Sequence, residues 1–110
     1  MTNPNIRNTI SIYKWKSNGI KKKNRANVLK HGFDFRDAIH VFEGPKVTFY
    51  DDRYDYGEDR YITLGLLGDI IIFIGHTYRG DKIRVISMRK AIGKERRIYE
   101  KKVFLGHGKD

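Results

Sequence analysis

The sequence predicts an α+β protein with a mainly antiparallel sheet of four to five strands, two N-terminal helices and a C-terminal helix. The central region, from about residue 46 to residue 89, alternates apolar and polar side chains over short runs, which is typical of strands. Tight turns such as Gly68-Asp69 connect these runs. Strands that follow one another through tight turns pair antiparallel, and the flanking helices then pack on the sheet.

The N-terminal third is predicted to hold a strand and two helices. Residues 9–15, TISIYKW, alternate apolar and polar side chains as a short first strand. Residues 20–32 predict a helix that ends at Gly32, and residues 34–42 predict a second helix that Asp34 caps. The side chains predicted to be buried are Ile20, Val28 and Leu29 in the first helix and Phe35, Ala38, Ile39 and Phe42 in the second.

The remaining elements are three further strands after residues 46–50 and a basic helix over residues 93–103. With Gly68-Asp69 as a two-residue turn, Leu67 pairs with Ile70 and Tyr61 pairs with His76. Alternation then predicts the two faces of the central hairpin. One face holds Tyr61, Thr63, Ile72, Ile74 and His76, and the other holds Arg60, Ile62, Leu64, Ile71 and Phe73.

The face of the last strand depends on the turn before it. A two-residue turn at Arg79-Gly80 places Arg84 on the Arg60 face and Arg89 on the His76 face, whereas a three-residue turn exchanges these two assignments. In either case, a regular strand places Arg84 and Arg89 on opposite faces.

Length and composition predict one domain. The chain has 110 residues, 39% of them hydrophobic, and we expect a single domain at 10–104 between a mobile segment at 1–9 and a tail at 105–110. The absence of cysteine excludes disulfides and cysteine-ligated zinc. No stretch resembles a signal peptide, and the longest apolar run, DIIIFIG, is too short to span a membrane. These features predict a soluble cytoplasmic protein.

Charge is unevenly distributed in this chain of net charge +10. Residues 1–33 carry eight Lys and Arg without an acid, residues 34–81 carry five basic and ten acidic residues, and residues 82–110 carry ten basic and three acidic residues. Clustered basic residues favour binding of nucleic acid, although such charge can also serve solubility alone. The residues predicted to bind nucleic acid are Lys21, Lys22, Lys23, Arg25 and Lys30.

The acidic stretch at residues 51–60, DDRYDYGEDR, allows three interpretations: a metal site, a solvated loop, or a brace for nearby arginines. Its spacing does not match an EF-hand, because Arg53 stands where an oxygen ligand is needed and Gly57 falls one place late. Arg53 and Arg60 also compete for the carboxylates. We therefore expect no metal and no other cofactor, and carboxylates that either face solvent or fix guanidinium groups.

Other side chains have both a structural and a functional interpretation. His76 ends the most apolar strand, where a lone histidine is more often a structural residue than a catalyst. Arg79, Arg84 and Arg89 belong either to an ordinary amphipathic strand or to a row that binds phosphate. Tyr99 either packs the last helix on the core or acts near the active face.

Four motifs in series resemble the BrnT family of toxins from bacterial type II toxin–antitoxin systems. They are NRANVLKHGFDFRDAIHVF, DDRYDYGEDRYITLG, HTYRGDKIRVISMRKA and ERRIYE, and the resemblance runs from about Tyr13 to Glu100. This sequence has YKWK at residues 13–16, where the family usually has acids in place of both lysines.

The resemblance implies a fold similar to the RelE-type ribonucleases and an endoribonuclease that blocks translation without a metal. It also implies a BrnA-like ribbon-helix-helix antitoxin, which forms a hetero-oligomer with the toxin and provides the contact with operator DNA. By this resemblance, either Glu58 or His76 is the general base or acid. Arg60, Arg79, Arg84 and Arg89 are then the candidate stabilisers of the charge on the phosphorane. A non-catalytic basic module that binds nucleic acid remains the alternative.

Overall fold

The protein is α+β, as predicted, in a computed structural model that describes residues 18–105, with side chains from 20 to 104. The α-helices are α1 (Asn18–His31), α2 (Ala38–Glu43) and α3 (Gly93–Glu100). The strands are β1 (Lys46–Tyr50), β2 (Tyr61–Leu67), β3 (Ile70–Arg79) and β4 (Lys82–Lys90). The strand predicted at residues 9–15 lies outside the described residues, as does the segment at 1–9.

The four described strands form one antiparallel sheet in the order β1-β2-β3-β4. Gly68 has a φ of 65° in the turn between β2 and β3, a conformation that glycine adopts without steric cost. The predicted register is confirmed, because Leu67 pairs with Ile70 and Tyr61 pairs with His76. Consecutive hairpins thus bring the residues that leave β1 and enter β2 next to the end of β3.

The last strand departs from the regular register that the sequence predicts. The turn before β4 is Gly80-Asp81, because Arg79 pairs with Lys82. A β-bulge follows, since Gly75 faces Ser87 while its neighbour His76 faces Val85.

The prediction that Arg84 and Arg89 lie on opposite faces is wrong, because the bulge lies between them. Arg84 pairs with Thr77 and Arg89 pairs with Phe73, and Thr77 and Phe73 are both odd-numbered residues of the regular strand β3. The two arginines therefore share one face of the sheet. The extra residue of the bulge shifts the alternation by one, and the sequence carries no simple signal for it.

Helix α1 packs against β4 through polar side chains rather than through the predicted apolar stripe. Ile20 is buried as predicted, but Leu29 is 85% exposed and Val28 is 39% exposed. Asn24 and Asn27 are buried instead, at the helical spacing from Ile20 that puts all three on one face. The side-chain amide of Asn27 donates to the Met88 carbonyl at 2.9 Å and accepts from the Met88 amide at 3.2 Å.

The helix predicted at residues 34–42 consists of a 3-10 turn, Phe35–Asp37, followed by α2. The carboxylate of Asp34 accepts a hydrogen bond from the Arg36 amide at 2.8 Å, so it caps the turn. Helix α2 lies very close to β2, because a Cβ added at Gly65 would be 2.8 Å from a methyl group of Val41. This close approach requires glycine at position 65.

Two apolar cores cover the two faces of the sheet. The first, beneath α2, contains Phe35, Ala38, Val41, Phe42, Ile72, Ile74, Ile83, Val85 and Met88. The second, beneath α3, contains Ile62, Leu64, Phe73, Tyr99 and Val103. The division of β2 and β3 between these cores confirms the predicted faces. Helix α3 ends at Glu100, and a π-helical turn, Lys101–Leu105, replaces the end of the predicted helix.

Candidate active site and RNA-binding surface

The carboxylate of Glu58 lies between two arginines. Its two oxygens accept hydrogen bonds from Arg60 Nε and from a terminal nitrogen of Arg79, both at 3.1 Å. The side chain of Glu58 is 25% exposed and that of Arg79 is 39% exposed, so solvent reaches the pair. Arg60 precedes β2 and Arg79 ends β3, and the antiparallel pairing of these strands brings them together. This arrangement holds one carboxylate among guanidinium groups at one end of the sheet.

The acidic loop at residues 51–60 keeps this site in place. Asp51 is buried, and its carboxylate accepts from Arg53 Nε at 2.8 Å, from a terminal nitrogen of Arg53 at 2.9 Å and from the Tyr56 hydroxyl at 2.9 Å. These hydrogen bonds lower the pKa of Asp51 to about 2. The Arg60 guanidinium lies 4.2 Å from the centre of the Tyr56 ring.

Of the three interpretations of the acidic stretch, the structure favours the brace. Asp51 holds Arg53, and Glu58 holds Arg60 and Arg79. Asp52 and Asp55 are exposed. Within residues 18–105, no group of three or more His, Asp and Glu side chains lies where it could hold a metal ion.

Arg84 and Lys23 add positive charge to the same end of the sheet. Arg84 is half-buried beside Thr77, and no hydrogen-bond acceptor in the described part of the chain reaches its buried Nε. Lys23 projects from α1 towards this region. Burial lowers the pKa of Lys23, and the positive charges of Arg84 and Arg60 lower it further. The buried Nε of Arg84 is costly to leave without an acceptor, and a bound ligand could supply the missing hydrogen bond.

Arg89 shares this sheet face but has other partners. Its two terminal nitrogens donate to the two carboxylate oxygens of Glu95, both at 2.9 Å, and its guanidinium lies 3.8 Å from the centre of the Phe73 ring. The other Glu95 contact is with the Ile92 amide at 2.9 Å, which anchors the start of α3. Arg89 therefore joins α3 to the sheet through a bidentate ion pair.

His76 lies on the opposite face, in the interior. It is 0% exposed, its Nε2 lies 2.8 Å from the Thr63 hydroxyl, and its Nδ1 has no partner within residues 18–105. Burial lowers the pKa of His76 to about 4, so the ring is neutral at physiological pH. His76 and Glu58, which the sequence left as alternative candidates for the base, thus lie on different sides of the sheet, and only Glu58 is accessible to solvent.

Tyr99 is in the core beneath α3. It is 0% exposed, and its hydroxyl donates to the Pro45 carbonyl at 3.1 Å. This contact ties α3 to the start of β1. The geometry therefore fits the packing interpretation of Tyr99, because its ring is fully buried and its hydroxyl already bonds to the Pro45 carbonyl.

The predicted RNA-binding residues of α1 are all exposed on the helix. The pKa of Lys23 is lowered by partial burial and is also affected by the charges of Arg84, Arg60 and Glu58, so this side chain lies within electrostatic reach of the candidate site. Lys21 and Arg25 instead line a shallow apolar cavity with Val28 and Leu29. The helix thus presents basic side chains in more than one direction.

Sequence reasoning missed a row of tyrosines beside the Glu58 site. Tyr50 ends β1, Tyr61 begins β2 and Tyr78 lies near the end of β3. Tyr50 and Tyr78 are 53% and 45% exposed. Aromatic residues at the meeting ends of three consecutive strands were the signal available in the sequence.

A carboxylate held between arginines on a small, strongly basic α+β domain is an arrangement compatible with the class of proteins that bind phosphate groups of nucleic acids. Residues 21–95 match the family described as ribonuclease toxin, BrnT, of type II toxin-antitoxin systems. The chain belongs to this BrnT family, which implies RNA as the substrate and an antitoxin as the partner. Neither the curated proteins nor the solved structures contain a match to the chain. None of the helices in residues 18–105 is long and apolar enough to cross a membrane.

Proposed function

We propose that the protein is a cytoplasmic, metal-independent endoribonuclease that inhibits translation by cleaving RNA. The observation that carries this proposal is the position of Glu58 between Arg60 and Arg79, on the sheet end where Arg84 leaves a buried donor unpaired. Family membership supports ribonuclease activity, and the geometry of the site supports the assignment of roles.

In the proposed reaction, Glu58 accepts the proton of a ribose 2′-hydroxyl. The 2′-oxygen attacks the adjacent phosphorus, and the bond between phosphorus and the 5′-oxygen breaks. Arg60 and Arg79 orient the carboxylate, while Arg84 and Arg60 stabilise the extra negative charge on the phosphorane. The products are a 2′,3′-cyclic phosphate and a 5′-hydroxyl.

Lys23 is the proposed donor of the proton that the leaving 5′-oxygen needs. Its lowered pKa makes the ammonium group a better acid than an ordinary lysine. Its side chain lies within electrostatic reach of Arg84, Arg60 and Glu58, which are the residues proposed to surround the phosphate. This role makes α1 part of the active site, in addition to the binding role of its other basic residues.

Replacement of Glu58 by Gln tests the proposal. We expect the rate of cleavage at saturating single-stranded RNA to fall by on the order of 10²- to 10⁴-fold, because the amide does not accept the proton. Asp55→Asn is the matched control, since it removes one carboxylate from the same loop at an exposed position whose contact is with the Gly57 amide. Equal rates for Glu58→Gln and the unmodified protein would exclude Glu58 as the base.

The same assay distinguishes the alternative function. A protein that binds RNA tightly but produces no 2′,3′-cyclic phosphate ends is a non-catalytic nucleic-acid-binding module. The net charge of +10 suits that role equally well, so binding alone does not discriminate.

The proposed partner is a BrnA-like antitoxin with a ribbon-helix-helix domain, which inhibits the toxin in a hetero-oligomer and binds operator DNA. We expect expression of the chain alone to arrest bacterial growth and co-expression of the antitoxin to restore it. Glu58→Gln is the control for arrest by cleavage. Normal growth at high levels of folded, unmodified protein would contradict the toxin function.

A further inference from the structure

Three tyrosines form a continuous aromatic surface across the sheet, which we call the tyrosine platform: Tyr50, Tyr61 and Tyr78. The ring centroids of Tyr50 and Tyr61 are 5.7 Å apart, and those of Tyr61 and Tyr78 are 5.2 Å apart. Tyr50 and Tyr78 are 53% and 45% exposed. Tyrosine rings that are this exposed and adjacent to one another are frequent on binding surfaces.

The platform has a rigid support. The His76 ring packs beside it on the same face of the sheet, 6.1 Å from Tyr61 in a stacked orientation and 5.4 Å from Tyr78 edge to face. Phe42 of α2 packs against His76 edge to face, with the ring centroids 5.1 Å apart. The buried histidine is therefore a packed neighbour that restrains the orientation of the Tyr61 and Tyr78 rings. An aromatic surface with fixed rings loses little conformational entropy when it binds a ligand.

The platform is continuous with the Glu58 site. A cavity of about 250 Å³ at the end of the sheet is lined by Tyr61 and Tyr78 and also by Glu58, Asp59, Thr77 and Arg79. Tyr78 and Arg79 are neighbours in β3, and alternation sends one side chain to the platform and the other to Glu58. A chain of nucleotides whose phosphate lies at Arg79 would therefore have a base within reach of Tyr78.

We propose that the tyrosine platform binds unpaired bases of the RNA that flank the cleaved phosphate, by stacking on Tyr78 and Tyr61. Single-stranded RNA is recognised mainly by stacking of splayed bases on aromatic rings beside a basic groove. In this protein the shared cavity connects the platform to the Arg79 guanidinium. The proposal rests on the proposed function for the location of the phosphate, but binding of bases is separable from cleavage.

The test uses the full chain carrying Glu58→Gln, so that RNA is bound without being cleaved, and a fluorescein-labelled single-stranded RNA. We expect Tyr78→Ala to weaken RNA binding by roughly 5- to 150-fold, the usual effect of losing a stacking partner. Tyr78→Phe keeps the ring and should retain affinity, whereas Tyr78→Leu is apolar without an aromatic face and should behave like alanine. Tyr54→Ala is the matched control, because Tyr54 is 70% exposed and lies outside the platform.

A second measurement changes the RNA, first with the platform intact and then together with Tyr78→Ala. RNA with an abasic nucleotide beside the cleaved bond should bind Glu58→Gln more weakly than normal RNA, and Tyr78→Ala should add no further loss with the abasic RNA. Additive losses, or affinity unchanged by Tyr78→Ala, would overturn the proposal. Loss of antitoxin binding with RNA binding intact would identify the platform as a protein interface instead.

The two proposals fail differently. If the unmodified protein does not cleave RNA but binding depends on both Tyr78 and the base, the platform stands and the nuclease mechanism fails. If cleavage depends on Glu58 but neither the tyrosine nor the base affects affinity or KM, the mechanism stands and the platform fails.

Discussion

Arg84 and Arg89 project from the same face of the sheet, but only Arg89 forms an ion pair with a carboxylate. Arg89 is held by two hydrogen bonds to Glu95, whereas the Nε of Arg84 has no acceptor in residues 18–105. The bulge in β4 brings both arginines to this face. Arg89 therefore attaches α3 to the sheet, whereas the Nε of Arg84 is available to bind a phosphate.

Replacing each arginine by alanine should therefore have different effects. Arg84→Ala should lower the rate at saturating RNA by on the order of a hundredfold, because one positioned stabiliser of the phosphorane is lost. Its free energy of unfolding should change little. Initial rates of RNA cleavage and urea denaturation measure the two quantities.

Arg89→Ala is the matched comparison for Arg84→Ala. It should lower the free energy of unfolding by about 1–2 kcal/mol, because the Glu95 carboxylate loses a bidentate partner in a partly exposed position. The rate per folded molecule should be retained. A large loss of rate from Arg89→Ala without loss of stability would reverse these assignments.

The basic residues of α1 should separate into two functions. Replacing Lys21 and Lys22 by alanine should reduce the slope of log affinity against log salt by about 0.7 for each lost phosphate contact, without changing the rate at saturating RNA. Lys23→Arg should retain affinity but lower that rate, because a guanidinium does not release a proton at neutral pH. If Lys23→Arg turns over as fast as the unmodified protein, Lys23 is not the acid.

Cleavage should survive an excess of chelator. The carboxylate oxygens of Asp51 are already taken by Arg53 and the Tyr56 hydroxyl, and those of Glu58 by Arg60 and Arg79, so these acids are poor ligands for a hard cation. The measurement is the initial rate with EDTA and with added magnesium. Loss of activity with EDTA and recovery with magnesium would instead support a metal site in the acidic loop.

Stability should fall in mild acid because of His76. Its pKa is about 4 in the folded protein and 6.5 in the reference state, so unfolding takes up a proton between these values. His76 makes its full contribution to the free energy of unfolding above about pH 6.5. Because one unit of pKa corresponds to 1.36 kcal/mol, roughly 3 kcal/mol of this free energy is lost by pH 4.

Urea denaturation across this pH range checks the prediction, and His76→Gln is the comparison. The glutamine variant should have a flatter profile between pH 6.5 and pH 4, even if its stability at neutral pH is lower. Asp51 affects stability at lower pH. Because its pKa is lowered from 3.8 to about 2 in the folded protein, its contribution is present above pH 3.8 and is lost as the pH falls towards 2. Equal slopes for both proteins between pH 6.5 and pH 4 would contradict the role of His76.

The sequence predicted the central hairpin well because its signals are local. Gly68-Asp69 fixes the turn, and a two-residue turn fixes every pair from Leu67–Ile70 to Tyr61–His76. The pairing of acids with arginines was also open to prediction, because side chains two residues apart, such as those of Asp51 and Arg53, lie on the same side of an extended segment.

Other features depend on contacts between distant parts of the chain. Apolar periodicity assigned Val28 and Leu29 to the interior, but the interior face of α1 carries Asn24 and Asn27, whose partners are in other elements. The shared face of Arg84 and Arg89 depends on a bulge that no residue in β4 specifies alone. Tyr50 and Tyr78 are far apart in sequence, so only the strand pairing brings them together.

The contact between Asn27 and Met88 also determines how this sheet can associate with other proteins. An outer strand normally offers free backbone groups to a strand from another molecule. Asn27 occupies both the amide and the carbonyl of Met88, so its side chain imitates one residue of a neighbouring strand. A partner that extends the sheet by strand addition is thereby blocked at this point of β4. Between the two outermost described strands, β1 is then the better edge for such an extension.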